Sequence, residues 1–415
     1  MRFVPKVILD RDFRARPIVD RITANEELVE KVARVKNKSL DDAREYVKKK
    51  SFNYLMNMIG GENPGLNDWL RKPVKLLYLN GFFNRIRVDE KSAEMIRDAQ
   101  SEGNVIFLPP HYSLLDFVLA TWIFDKYNIK QPYIAGGSNI WPSKFYPVDL
   151  FLRSFRGFPI DRKRTKKEDI LYLATLKEFT KEVLKRYSLL LYLDGGRRKG
   201  GGPNVPKIGL LKSVIEFQKE NLDKKVFIAP VPVSYDIIPE GNEMVNERLT
   251  GLSKYNTSNM LRLPFLPSYK MRCGEVSIKF NEPYPLLDYL NNEENKDKAV
   301  AIQGKRLADK VLEEIENTKD IMDTQLVATV LAEYPGKRVL KDYIIEKLQK
   351  IKEIKDRKIA RKRANDVERV YAIGGFIRKY REKGREWWEI KKRSVIEFYK
   401  NQIVNRYTQY RNGRT

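Results

Sequence analysis

Residues 105–116 read VIFLPPHYSLLD: an unbroken apolar run, a Pro-Pro break, and a segment that starts like a helix. A short apolar run closed by proline is the pattern of a strand buried on both faces of a sheet. Ser113 carries an N-cap side chain, so His111 falls in a strand-to-helix turn. The same texture continues outward in PYIAGG (132–137), GFPIDR (157–162), SLLLYLDGG (188–196), VFIAPVPVSYD (226–236) and EVSIKF (275–280), each separated by helix-like sequence. Alternation of this kind predicts an α/β fold with a central, mostly parallel sheet flanked by helices. On the N-terminal side, from about Asn25 to Arg85, Leu28, Val32 and Val35 recur at helical steps among charges. Beyond Lys298, LADKVLEEI and QLVATVLAEY restore that period. The expected organisation is an N-terminal helical region (1–85), an α/β domain (86–292) and a basic C-terminal helical region (293–415).

The 415 residues carry 80 Lys and Arg against 55 Asp and Glu, a net charge of +25, with 42% hydrophobic residues. That composition supplies a packed core and excludes a disordered tail. Apolar stretches such as Leu114–Phe124 fall short of the ~20 residues a membrane-spanning helix needs, and this one contains Asp116. The opening MRFVPKVILDRDFRARP lacks the apolar core of a secretory signal, which leads to the expectation of a chain on the cytoplasmic side. The single Cys273 permits neither an internal disulfide nor a cysteine zinc cage and reads as a small buried hydrophobe.

The positive charge predicts anionic partners: phosphorylated substrates, an acidic protein, an anionic membrane surface or nucleic acid. It is concentrated in residues 337–415, where 25 Lys and Arg face 10 Asp and Glu. The closing segment EWWEIKKRSVIEFYKNQIVNRYTQY (386–410), read as a helix, sets Trp388, Val395, Ile396, Tyr399, Ile403, Tyr407 and Tyr410 near one face. Such a stripe beside cations suits either a helix in a membrane interface or one packed on the domain body.

His111 is the only histidine. On a continuous helix, side chains five residues apart point about 140° away from each other. A turn ahead of the helix removes that obstacle and lets His111 fold back on Asp116. Asp116 would fix the imidazole tautomer while the other ring nitrogen takes a proton from a substrate hydroxyl. A structural hydrogen bond is the competing reading. Arg162, Arg197, Arg198, Lys199 and Lys207 place cations beside Gly-rich turns, where guanidinium forks and exposed amides suit phosphate oxygens, although each alone also reads as a solvated surface charge. The glycines fit neither a dinucleotide fingerprint nor a P-loop.

Taken in order, HYSLLD (111–116), GFPIDR (157–162), DGGRRKG (194–200) and VPVSY (231–235) resemble the four blocks of the glycerol-phosphate acyltransferases, specifically the bacterial membrane-type glycerol-3-phosphate acyltransferases and their dihydroxyacetone-phosphate relatives. The resemblance extends to IAGGSNIWP (134–142), SYDIIPEGNEMVNERLTG (234–251), EVSIKFNEPYPL (275–286) and QLVATVLAEY (325–334), covering roughly residues 70–350. It implies transfer of a fatty acyl group from acyl carrier protein or coenzyme A to the sn-1 hydroxyl of glycerol 3-phosphate, the first step of phospholipid biosynthesis, with the substrate hydroxyl as nucleophile. His111 would be the general base and Asp116 its orienting partner. Arg162 and Arg197 would hold the phosphate, with Asp194, Gly195, Gly196 and Lys199 completing that side and Pro232 shaping the site. No metal or other cofactor is implied. A peripheral position on the cytoplasmic face of the membrane is.

Three departures stand out. Asp194 replaces the usual Glu of the third block, Arg198 and Lys199 replace a Ser-Arg pair, and Asp161 stands where many glycerol-3-phosphate enzymes have Arg and lysophosphatidic acid acyltransferases have Asp. The last keeps a lysophospholipid open as the alternative acceptor. Trp141, Phe145, Phe151, Phe155 and Phe158 are candidates for an acyl groove or for core. From other classes, a nucleic-acid-binding protein fits the charge, though no finger, RNA-recognition signature or recognition-helix motif is apparent, and a catalytically silent relative is opposed by the intact HYSLLD.

Overall fold

The computed structural model describes residues 15–59, 82–138, 152–166, 169–252, 273–351 and 354–404. The chain opens with α1 (Ala15–Thr23), α2 (Glu26–Lys36) and α3 (Leu40–Met58). Asn25 and Ser39 cap the latter two, their side-chain oxygens accepting the amides of Leu28 and Asp42. The α/β region follows as β1 (Arg85–Val88), α4 (Glu90–Glu102), β2 (Asn104–Leu108), α5 (Asp116–Lys126), β3 (Tyr133–Gly137), β4 (Gly157–Ile160), α6 (Arg162–Lys166), α7 (Ile170–Leu184), β5 (Leu189–Leu190), α8 (Gly209–Glu220), β6 (Val226–Pro230), β7 (Val233–Tyr235), α9 (Gly241–Thr250), β8 (Glu275–Ile278), β9 (Tyr284–Pro285) and α10 (Leu286–Asn291). The remainder comprises α11 (Val300–Thr318), α12 (Asp323–Glu333), β10 (Arg338–Leu340), α13 (Lys341–Gln349), α14 (Arg357–Ile373), β11 (Ile377–Glu382), β12 (Arg385–Ile390) and α15 (Arg393–Asn401).

The central sheet has the order β4-β3-β5-β2-β6-β9, parallel except for β9. Successive residues of β2 enter opposite cores: Val105 and Phe107 pack with α4 and α5, Ile106 and Leu108 with the layer of α1–α3, α7, α8 and α11. Burial on both faces is why these strands read as continuous apolar runs rather than alternating ones. The chain leaves β2, β4, β5 and β6 at the same edge of the sheet, so the four sequence blocks converge there. Loops at the carboxyl ends of parallel strands are where open α/β sheets assemble sites.

VFIAPVPVSYD, one run in sequence, is split between two sheets. Pro232 has no N–H to donate to a ladder, and the chain turns out of the central sheet after Pro230. β7 then pairs antiparallel with β8, and β8 parallel with β1, in a separate three-stranded sheet.

The C-terminal region departs from the all-helical expectation. β10, β12 and β11 form an antiparallel sheet in that order, and EWWEI is a strand rather than the start of a helix. Trp388 points into the core and donates from its indole N–H to Glu368 at 2.6 Å. Helix α15 follows, and its apolar residues Val395, Ile396, Phe398 and Tyr399, with Ile403 beyond it, are buried against the protein itself. Of the two readings of the apolar stripe, packing on the protein itself holds for its residues from 388 to 403, while Tyr407 and Tyr410 lie outside the described residues.

Candidate active site

His111 follows the Pro109-Pro110 break at the end of β2, and α5 begins only at Asp116. The helix starts later than its sequence suggests because Ser113 is not its cap. The Ser113 hydroxyl donates to Glu240 Oε2 at 2.8 Å and accepts the amide of Leu115, while the cap position falls to Leu115. Residues 111–115 are thus a tight turn wrapped around the Asp116 carboxylate. Asp116 Oδ2 accepts the amides of Tyr112 (2.8 Å) and Ser113 (2.9 Å) and meets His111 Nδ1 at 2.9 Å. Oδ1 accepts the Tyr235 hydroxyl at 2.6 Å.

A carboxylate offers only acceptors, so Nδ1 carries a proton and, in the neutral ring, Nε2 has the lone pair. Among the described residues no hydrogen-bond partner meets Nε2, and the His111 side chain keeps 16% exposure. The ring lies on that of Tyr192, with centroids 4.5 Å apart. Burial, and next the Asp116 charge, hold the Tyr192 and Tyr235 hydroxyls protonated well above the usual phenol range, so Tyr235 remains a donor to Asp116.

The third block closes over this turn. The Arg198 amide donates to the His111 carbonyl at 2.8 Å, and Asp194 Oδ2 accepts the His111 amide at 3.0 Å. Asp194 also receives Arg198 Nε at 2.9 Å and the Asn204 amide at 3.1 Å. With no exposed side-chain surface, Asp194 holds the loop and is not placed to touch a ligand, unlike the substrate-side position expected for it. Arg198 is equally enclosed. It reaches Glu316 on α11 at 2.6 Å, and Glu316 is paired in turn with buried Lys319.

Arg162, at the start of α6, is exposed as a residue, yet its guanidinium lies over Gly196, where an added Cβ would sit 3.7 Å from Nη1 and meet nothing else within 4 Å. Partial removal from water, then repulsion from Arg197, lowers its pKa below the ordinary guanidinium value. Among the described residues it has no carboxylate partner. Arg197 lies 3.3 Å from Glu240 and 3.4 Å from Glu247. Two guanidinium groups close enough to repel each other, one of them over an open glycine, are of a kind that could hold an anion with several oxygens. Gly195 has a different part, since its φ of +63° makes the turn and its missing Cβ leaves room for the Lys207 stem. Lys199 is turned to Glu247 at 2.7 Å.

Asp161 does not face this pocket. Its Oδ1 accepts the amides of Lys163 and Arg164, and Oδ2 lies 3.3 Å from Arg164 Nε, so it caps α6. Buried Pro232 sits beyond the sheet edge, its carbonyl accepting the Lys279 amide. A narrow apolar cavity is lined by Phe107, Leu119, Ala120, Val231, Ile278 and Phe280 among others, with Tyr192 and Asp116 in its wall. Phe155 and Phe158 are core instead, and Trp141, Phe145 and Phe151 lie outside the described residues. Sequence reasoning missed Tyr192, Tyr235 and Glu240. Tyr235 and Glu240 lie within the quoted fourth block and its extension, Tyr192 just ahead of the third. Glu240 is buried, accepts the Leu114 amide at 2.6 Å, and has its pKa raised, by burial first and against the opposing pull of Arg197.

Residues 87–234 match the family model described as Acyltransferase, and residues 259–409 match that of the glycerol-3-phosphate acyltransferase C-terminal region. The chain thus carries an acyltransferase domain followed by a glycerol-3-phosphate acyltransferase C-terminal region. Among its relatives it is 31% identical over 261 residues to mitochondrial glycerol-3-phosphate acyltransferase 1 of Mus musculus, an alignment covering 60% of this chain and 30% of that protein. It is 24% identical over 290 residues to a glycerol-3-phosphate acyltransferase of Haemophilus influenzae, covering 67% of this chain and 35% of the relative. The chain therefore spans about a third of the length of the curated relatives it matches. None of the described helices is long and apolar enough to cross a membrane.

Proposed function

We propose that this chain transfers a fatty acyl group from an acyl carrier protein or coenzyme A thioester to the sn-1 hydroxyl of glycerol 3-phosphate. The observation that carries the reading is the His111–Asp116 contact, 2.9 Å from Nδ1 to Oδ2, which leaves Nε2 for the substrate hydroxyl. In this reading Arg162 and Arg197 take the phosphate at Gly196, and His111 Nε2 removes the hydroxyl proton as the oxygen attacks the thioester carbonyl. The C–O bond forms, the C–S bond breaks, and the imidazolium returns its proton to the leaving thiolate. Asp116, held by two amides and Tyr235, stabilises the transient positive ring. The acyl chain extends into the apolar cavity beside Asp116. The scheme uses the thioester as co-substrate and needs no metal or prosthetic group. An anionic membrane surface, reached peripherally from the cytoplasm, completes the proposed partners.

The Asp161 argument for a lysophospholipid acceptor is weakened, because that carboxylate is engaged in capping. An acceptor panel of glycerol 3-phosphate, dihydroxyacetone phosphate and lysophosphatidic acid, each with both thioesters, tests the assignment. Glycerol 3-phosphate is expected to be preferred. Loss of a charge-assisted contact of ~1.5–3 kcal/mol should make Arg162→Ala raise its KM about 10- to 150-fold with the thioester KM unchanged. Preference for lysophosphatidic acid, or an unaltered acceptor KM, refutes it.

A further inference from the structure

Helices α12, α13 and α14 pack on one another, with β10 between the first two and the hairpin β11–β12 after the third. Helix–strand–helix–helix–hairpin, with the first strand pairing on the last, is a helix-turn-helix carrying a β-wing. Its interior is well fixed: Trp388 from the hairpin and Lys341 from α13 both reach Glu368 on α14, at 2.6 and 2.8 Å. The wing tip is a two-residue turn in which Lys383 (φ +48°) and Gly384 (φ +76°) both take positive φ, as the tightest hairpin turns require.

The outward surface is cationic. Lys358, Lys362, Asn365 and Arg369 recur at helical spacing on the exposed side of α14, and Arg381, Lys383 and Arg385 crowd the wing. Several acids of the unit are turned to its own structure: Asp356 caps α14 through the amide of Lys358, Glu368 faces inward, and Glu386 pairs with Lys341. Asp366 and Glu382 stay exposed among the cations. Exposed Ile359 and Ile373 are the large apolar residues of α14's surface, too few to insert into lipid. A 17-residue helix is about 25 Å long and, with side chains, about the width of the ~12 Å major groove.

We propose that residues 323–390 form a nucleic-acid-binding unit that seats α14 in a duplex groove and sets the wing cations on the flanking phosphates, an activity separate from acyl transfer. The fold supplies what the sequence lacked, a recognition helix presented by a partner helix. Titrate the full chain against a fluorescent duplex of about 20 base pairs while varying salt, beside the double variants Lys358→Glu/Lys362→Glu and Arg381→Glu/Lys383→Glu. Wild type should bind with a Kd of ~10⁻⁴–10⁻⁶ M at physiological salt. Each double variant should weaken binding at least about tenfold and lower the log–log salt slope by about two. Acyl-transfer turnover should be unchanged in both. No binding at ~50 mM salt, or equal binding by wild type and both variants, overturns the proposal. So does a loss in both variants of binding to anionic phospholipid vesicles or to acyl carrier protein with duplex binding retained.

Discussion

Asp194 Oδ2 holds the backbone amide of His111 at 3.0 Å, across 83 residues of sequence. The turn that carries His111 is therefore gripped by a carboxylate that is itself paired with Arg198, and the acid expected among substrate ligands is enclosed within the loop.

Removing that carboxylate breaks a buried ion pair and leaves Arg198 with Glu316 alone, a carboxylate it shares with Lys319. Asp194→Ala should lower unfolding free energy by about 3–5 kcal/mol in urea titrations. Asp194→Asn, which keeps an acceptor for His111, should be less damaging. A loss below about 1 kcal/mol for Asp194→Ala would mean that Arg198 finds other compensation.

Tyr235→Phe deletes the 2.6 Å donor to Asp116 without changing shape. A hydrogen bond to a charged group contributes about 1.5–3 kcal/mol, so kcat should fall roughly 10- to 150-fold while acceptor KM stays within about twofold. Steady-state kinetics distinguish this from a general collapse of the site, which would move both constants.

The apolar cavity predicts a chain-length effect. Ala120→Leu fills part of it, and each methylene that no longer fits costs about 0.8 kcal/mol, near fourfold in kcat/KM. Competition between thioesters of different length should show the optimum moving to shorter chains. An unmoved optimum would place the acyl group elsewhere.

Asp236 gives a pH signature. Burial, reinforced by the Asp323 and Glu275 charges, pushes its pKa up to about 7, against the bond from the Glu275 amide. Because the folded state holds this proton more tightly than the unfolded one, the associated stability is complete below the ordinary carboxyl value and is lost as pH rises through about 7. Asp236→Asn can keep its carbonyl on the Glu275 amide and its amide on Thr324. Urea midpoints should drop between pH 5 and 8 in wild type and drop less in the variant; parallel drops would exclude Asp236 as the cause.

Much of this architecture is legible in the chain because the parallel strands are buried on both faces and so spell continuous apolar runs. The blocks could be ordered for the same reason, each following a strand. What could not be read depends on contacts distant in sequence. Ser113 looks like a cap until Glu240, 127 residues away, takes its hydroxyl. Tyr235 gives no local sign that it will meet Asp116, 119 residues earlier. The hairpin IRKYREKGREWWEI hides its strands because its outward side chains are charged, although Lys-Gly at its centre was a turn signal. Asp161, conspicuous in sequence, proved to be a local cap.

Central to the account is His111 as the base that activates the acceptor hydroxyl. Single-turnover acyl transfer by purified His111→Ala, with glycerol 3-phosphate and an acyl thioester at saturation, measures that directly. The rate should fall ~10²- to 10⁴-fold with the thermal midpoint and acceptor binding preserved. A rate within a few fold of wild type would contradict it.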